Sequence, residues 1–268
     1  MTVPMLHDRR IELKYRLASS LSGEVRHWAR EHLGIDHHCP DADIDSYDVN
    51  TLYFDTPRYD LFHRSGLVGR TKHRIRRYGN EPTLWLESKR KKKDVVRKNR
   101  TSIAEGEVLA RLPISLTDTF KHEPQSQPQD CQTWCGEWFL QRIAERRLQP
   151  AVQVHYQRFA RMTTWEGQSL RLTIDSQLQA SEVDGWTVAS TADAVNRKQI
   201  DSDEVLELKF YNHMPALFKS LLRTFPIAAT GFSKYRTAAE RCVAAIAAQG
   251  VCVPESTAWF TNEYCPHG

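Results

Sequence analysis

In segment after segment of this chain, charged residues recur at every second position. Arg70, Lys72, Arg74 and Arg76 do so, followed by Tyr78; Trp85, Glu87, Lys89 and Lys91 repeat the spacing, and Lys98 and Arg100 follow. A strand turns successive side chains to opposite faces, so each set shares one face. The triplet Glu-x-Lys appears three times on such segments, at Glu12/Lys14, Glu87/Lys89 and Glu207/Lys209. Ile11, Leu13, Tyr15 and Leu17 form the opposite face of the first segment, and Leu206, Leu208 and Phe210 that of the last. Later, Arg158 follows Tyr156 at period two, and Arg171, Thr173 and Asp175 lie opposite Leu170, Leu172 and Ile174.

One such strand is explained by an antiparallel sheet with a single wet face. The set is not, because a wet face normally mixes signs. Two cations 6 Å apart repel by about 3 kcal/mol at an effective dielectric near 20. Here cations dominate. If the sheet closes into a barrel, they line its interior and the apolar faces point outward to helices. That inverts the packed interior of an ordinary small barrel. Such a lumen is unfavourable when empty and favours a polyanion. Its few carboxylates, Glu12, Glu87 and Glu207, offset repulsion and offer the oxygen ligands that a divalent cation prefers.

The order of elements supports this arrangement. Strand-like runs cover residues 8–17, 46–57, 68–79, 83–92 and 94–102, and a hairpin at 151–180 turns at Glu166 and Gly167. A further strand covers 204–212. Helices are expected at 19–34, 57–66, 103–112, 135–148, 215–225 and 233–249. About eight strands without a βαβ series predict an α+β fold, a closed eight-stranded antiparallel β-barrel surrounded by helices. One domain spans 1–249, with a variable Pro/Gln/Ser-rich loop at 113–133 and a tail at 250–268.

The formal net charge of the 268 residues is only +4. Arg64 to Arg100 is nonetheless densely basic, which points to an anionic ligand at one place. No apolar run approaches the roughly 18 residues of a membrane span, and no secretion signal opens the sequence, so a cytoplasmic location is expected. Six cysteines form no disulfide framework. His37, His38 and Cys39 with Cys131 and Cys135 lack the spacing of a zinc site and read as loop histidines and free thiols. In the run Lys89 to Lys93, Lys89 belongs to the lumen, while Arg90, Lys92 and Lys93 stay solvated or steer anions at its mouth.

The motifs RxExKY, LYFDT, KxRxRxYG, ESKRKKKDVVRKNR, YxR, RLTID, LELKF and FSKYRTA follow one another between about Arg9 and Ala245. In that order the chain resembles the VTC domain, the polyphosphate polymerase domain of the triphosphate tunnel superfamily, in its stand-alone bacterial form. The resemblance implies a tunnel of eight antiparallel strands. It implies that Lys14, Arg74, Arg76, Lys89, Lys98, Arg158 and Arg171 bind the nucleotide triphosphate and the growing polyphosphate. Glu207 matches the metal-binding carboxylate, for Mn²⁺ or Mg²⁺. Tyr156, Ser233 and Lys234 match phosphate contacts; Glu12, Lys72, Glu87, Arg100, Asp175 and Lys209 occupy motif positions around them, and Arg70 shares the alternating face of Lys72, so Glu12, Arg70, Lys72, Glu87, Arg100 and Lys209 are expected to bind substrate.

Two departures bear on activity. Superfamily hydrolases and cyclases typically open with ExExK, whereas Arg10 replaces the first acid here, which favours a polymerase. Gly231 stands where some polymerases carry a lysine. The implied reaction moves the γ-phosphate of ATP onto phosphate or polyphosphate. The alternatives are an inorganic triphosphatase or polyphosphatase with water as acceptor, and a polyphosphate- or RNA-binding module without turnover. The phosphate-sensing domain and membrane helices of yeast-type members find no counterpart in this sequence, so coupling of synthesis to transport is not expected from it, and a separate membrane partner stays open. Few lumen aromatics argue against specific nucleic-acid binding.

Overall fold

The computed structural model describes residues 10–39, 44–66, 68–92, 95–111, 134–183, 185–190 and 196–243, without the side chains of 91, 92, 95, 96 and 109. The expected loop at 113–133 and the tail at 250–268 lie outside these residues.

Eight strands pair in the order β1 (Arg10–Leu17), β10 (Glu204–Tyr211), β8 (Gln168–Ser181), β7 (Gln149–Trp165), β3 (Ser46–Asp55), β4 (Thr71–Tyr78), β5 (Thr83–Lys92) and β6 (Val95–Ala104). Every pairing is antiparallel. Two short strands, β2 (Gly34–Ile35) and β9 (Lys198–Gln199), add to β7 and β8. Hydrogen bonds among the described residues do not close this sheet into the expected barrel. β1 and β6 end the hydrogen-bonded order, and no ladder joins them among the described residues. A strongly twisted sheet of this width curls, and side chains rather than backbone then bridge the seam.

The faces follow the period-two pattern. On the convex side, Tyr15, Leu17, Phe159, Leu172, Ile174, Leu206, Leu208 and Phe210 pack under α1 (Ser19–His32) and α5 (Ala216–Thr224), through Val25, Trp28, Phe218 and Leu221. α4 (Glu137–Glu145) covers the other half of that face with Phe139 and Ile143. Two shorter helices, α2 (Asp60–His63) and α3 (Glu105–Arg111), follow β3 and β6.

The final helix, α6 (Lys234–Cys242), was expected as a helix but not where it sits. Tyr235, Ala238, Ala239 and Cys242 share a core with Val49, Val152, Val154, Leu178, Ala180 and Val205. By register these strand residues belong to the charged face: Val205 pairs with Asp175, and Val49 with Tyr78 and Tyr156. One end of the concave side is thus apolar and plugged by α6. Asp55 anchors the plug. Its carboxylate accepts from the backbone N–H groups of Thr56, Leu61 and Phe62 and from the Tyr235 hydroxyl.

Candidate phosphoanion site

Glu87 is the centre of charge on the concave face and is fully buried. Lys98 Nζ lies 2.8 Å and Arg100 Nε 3.2 Å from its Oε1. Arg74 Nε donates to Oε2 at 2.6 Å, and Arg76 Nη1 stands 3.7 Å from the same oxygen. The β-ladder dictates this convergence, since Arg74, Glu87 and Arg100 are direct cross-strand partners. Burial alone would raise the Glu87 pKa, but Arg74, Arg76 and Lys98 hold the carboxyl far below the ordinary range. One carboxylate cannot neutralise four cations, so a net positive charge remains.

A second group forms on β1, β8 and β10. Lys14 Nζ lies 2.9 Å from Glu207 Oε1 and 3.6 Å from Glu12 Oε1. Lys209 Nζ is 3.1 Å from Glu207 Oε2. Lys234, at the start of α6, reaches Asp175 at 2.6 Å and Glu207 at 3.6 Å and lies over the Tyr156 ring. Arg158 grips both oxygens of Asp175, at 2.6 and 2.8 Å. Burial works against ionisation of Glu207, and Lys14, Lys209 and Lys234 overcome it and hold its pKa well down. The two groups meet where Lys89 Nζ approaches Glu12 Oε2 at 3.0 Å.

Crowding also weakens particular cations. Burial, with Lys14, Lys89 and Arg74 nearby, brings Lys72 down to about 8 despite its pairing with Tyr53. Burial brings Lys209 to about 8 as well, against the pull of Glu207 and Glu12. Burial would raise the Tyr53 phenol, yet Arg74, Lys72, Arg76 and Lys234 bring it to about 8. Lys72 donates to Ser233 Oγ at 3.1 Å, which ties β4 to the cap of α6.

The expected residues Glu12, Lys14, Lys72, Arg74, Arg76, Glu87, Lys89, Lys98, Arg100, Tyr156, Arg158, Asp175, Glu207, Lys209, Ser233 and Lys234 therefore come together on one face. Arg171 lies on it too, but Asp36 takes its guanidinium, along with the Tyr47 hydroxyl at 3.0 Å. Arg70 does not join them. It ends the 3-10 turn Val68–Arg70 and is exposed, because the strand begins one residue later than the alternation suggests.

Sequence reasoning missed Asp36 and underrated the aromatics. Tyr47, Tyr53, Tyr78, Trp85 and Tyr156 share the face, and Arg100 stacks 3.6 Å from the centre of the Trp85 ring. The shared parity of Tyr47, Tyr53 and Tyr78 with their cross-strand arginines was the available signal. Two buried polar atoms on this face, Thr173 Oγ1 and Trp85 Nε1, have no partner among the described residues, as expected of a surface shaped for a ligand.

A divalent cation needs oxygen ligands, and Mg²⁺ commonly uses one or two carboxylates plus substrate phosphates. Glu12 and Glu207 fit that need, because Lys14 already places a positive charge between them. Asp36, His37 and His38 also bring ligand atoms within 4.8 Å of one another. There the carboxylate is committed to Arg171 and to the His38 N–H, and His37 Nδ1 contacts Met162 Sδ at 3.3 Å. The described cysteines, Cys39, Cys135 and Cys242, are free thiols. A cavity of about 370 Å³ lies elsewhere, between the start of α1 and Gln157, Ser176 and Asp201. Its carboxylates Asp201 and Glu204 are already paired with Arg16 and Arg26.

A curled antiparallel sheet with an overcharged basic concave face defines a phosphoanion-handling class of protein. The chain belongs to the VTC domain family, which matches residues 9–243. Among solved structures it is similar to a candidate adenylyl cyclase from Hippeastrum described as having a dominant triphosphatase activity. That pair shares 16% identity over 91% of this chain and 98% of the other, with a TM-score of 0.47. It is similar to a candidate adenylate cyclase from Bacillus halodurans at 16% identity, over 84% and 95% of the two chains, with a TM-score of 0.42. A third, from Vibrio parahaemolyticus, shares 10% identity over 87% and 98%, with a TM-score of 0.41. No curated protein matches the chain. Among the described residues no helix is long and apolar enough to cross a membrane.

Proposed function

We propose that this protein is a polyphosphate polymerase that transfers the γ-phosphate of ATP to phosphate or to a polyphosphate end. The observation that carries the reading is the cluster around Glu87, where four cations share one buried carboxylate. A triphosphate supplies the missing negative charge in a geometry of guanidinium forks that suits phosphate oxygens. Membership of the VTC domain family supports the choice of substrate.

Phosphoryl transfer demands positioning and electrostatic stabilisation more than covalent help from the protein. In the reaction the bond from the γ-phosphorus to the β–γ bridging oxygen breaks, and ADP leaves with that electron pair. A bond forms from the same phosphorus to a terminal oxygen of the acceptor. Arg74, Arg76, Lys98 and Arg100 hold the equatorial oxygens and the charge that spreads over them. Arg158 and Lys234, steadied by Asp175, face the chain from the other strands. Lys14, Lys89 and Lys209 hold the acceptor in line. Mn²⁺ or Mg²⁺, when bound at Glu207 and Glu12, would add charge neutralisation at phosphate oxygens.

The test is incubation of the purified protein with ATP and Mn²⁺, followed by a polyphosphate-resolving gel and an assay of free phosphate. A ladder of chains with ADP is expected. Free phosphate without chains would move the assignment to hydrolysis, and unchanged ATP to a binding module.

A further inference from the structure

The convex face should be apolar where helices cover it, and next to the β5–β6 hairpin it is not. Arg90 and Arg97 are direct cross-strand partners there and both are exposed. Like charges in that position repel. The end of α4 adds two more cations, Arg142 in its last turn and Arg146 at its C-cap, three and seven residues after the buried Phe139. Beneath them lies His73, in register with Ser88 on β5 and 6.5 Å from the Phe139 ring.

None of Arg90, Arg97, Arg142 and Arg146 has a carboxylate within ion-pair distance among the described residues. The contrast with the concave face is plain, since Arg74, Arg76, Arg100, Arg158 and Arg171 all have one. Arg146 Nη1 is buried without a hydrogen-bond partner among the described residues. His73 is fully buried; the Thr71 backbone offers its ring only a weak hydrogen bond, and neither ring nitrogen has a well-formed partner among the described residues. Burial and the charges of Arg146 and Arg142 keep the imidazole neutral. A neutral imidazole still carries one N–H to donate. Unpaired buried donors and clustered guanidinia are costly unless an acceptor completes them.

We infer that Arg90, Arg142 and Arg146, above His73, form a second phosphoanion site on the outer face, separate from the concave one. Two guanidinium forks, one from the last turn of α4 and one from its C-cap, match the several oxygens of a phosphate group. Continuity with the concave face supports the same chemistry. Arg90 and Arg97 directly follow and precede Lys89 and Lys98 in the chain, so the hairpin carries cations on both of its faces. Free orthophosphate and the end of a polyphosphate chain share the chemistry the site recognises.

Equilibrium binding of orthophosphate and of long-chain polyphosphate to the full chain tests the site, comparing wild type with the double variant Arg142→Ala/Arg146→Ala. Alanine suits the last turn of α4 at 142, and thermal melting checks that the change at the C-cap, 146, leaves the fold intact. The expected result is two classes of phosphoanion site in wild type and one in the variant, with affinity for the lost class reduced by at least about tenfold. In wild type, the ring resonance of His73, assigned with His73→Asn, should shift on titration. Saturation by orthophosphate alone would assign the site to the free ion. Binding of chains without a response to orthophosphate would assign it to polyphosphate. Equal binding by wild type and double variant, an unmoved His73 resonance, or stronger competition by an RNA oligomer than by polyphosphate would overturn the proposal. Because ATP turnover is not read, failure of the polymerase assignment leaves this result interpretable.

Discussion

Lys89 Nζ lies 3.0 Å from Glu12 Oε2, although their strands, β5 and β1, stand six places apart in the hydrogen-bonded order of the sheet. The sheet therefore curls until β5, next to one end, meets β1 at the other through side chains. Both groups are partly exposed, which limits the pair to about 0–1 kcal/mol of stability. Glu12→Gln should accordingly leave thermal melting nearly unchanged while removing negative charge beside Lys14 and Lys89. Tripolyphosphate affinity measured without divalent metal should rise. The gain from adding Mn²⁺ should shrink, because one of two candidate oxygen ligands is weakened. Calorimetric titration with and without Mn²⁺ checks both.

Glu87→Gln is expected to behave differently. The carboxylate is fully buried, and its removal leaves Arg74, Arg76, Lys98 and Arg100 without a counter-charge. Breaking such a buried arrangement costs about 3–5 kcal/mol. An anionic ligand that enters the cluster restores part of the balance, and binding to the folded state alone adds to stability by mass action. The rise in Tm on adding tripolyphosphate should thus be larger for the variant than for wild type. An equal rise would place the ligand away from Glu87.

Much of this site was legible because strands announce their faces. Lys72, Arg74 and Arg76 alternate with His73, Ile75 and Arg77, and a one-residue offset would have exposed the whole apolar set. The alternation says which residues share a face, but not what covers that face. Val49, Val152, Val154 and Ala180 have the parity of the charged row, and only the position of α6 explains why they are apolar. Bulges between Tyr53 and Phe54 and between His155 and Gln157 shift the register where a strict period would carry on. Asp36 was hidden because it lies outside any long strand and meets Arg171 across 135 residues. Closure was undecidable from sequence, because pattern does not fix whether β1 and β6 pair.

Tyr235→Phe should loosen the plug. The lost hydroxyl donates to Asp55, which keeps its three backbone donors but loses its link to α6. A hydrogen bond to a charged group contributes about 1.5–3 kcal/mol. Chemical denaturation should register a loss of that size with an unchanged m value. Lys234 neighbours Tyr235 and supplies a cation to Asp175 and Glu207, so tripolyphosphate affinity should fall as well. A loss of stability with unaltered affinity would separate α6 docking from the site.

Anion binding should weaken as pH rises through about 8. Lys72 and Lys209 both titrate near 8 in the folded protein, below the ordinary lysine value, with burial the largest cause. Over the same range the phenols of Tyr53 and Tyr78 become negative, since the surrounding arginines and lysines outweigh burial and bring both to about 8. The concave face therefore loses positive charge and gains negative charge together. For the empty protein the sign is the opposite. Between pH 8 and 9 the unfolded chain holds more protons on these four groups than the folded one, so they make stability rise with pH. A bound phosphoanion favours the charged lysines and neutral phenols, so binding at pH 8.5 must take up protons. Calorimetry in two buffers of different ionisation enthalpy measures that uptake directly. Proton release on binding, or affinity that stays constant from pH 7 to 9, would mean that the anion does not contact Lys72, Lys209 or their tyrosine neighbours.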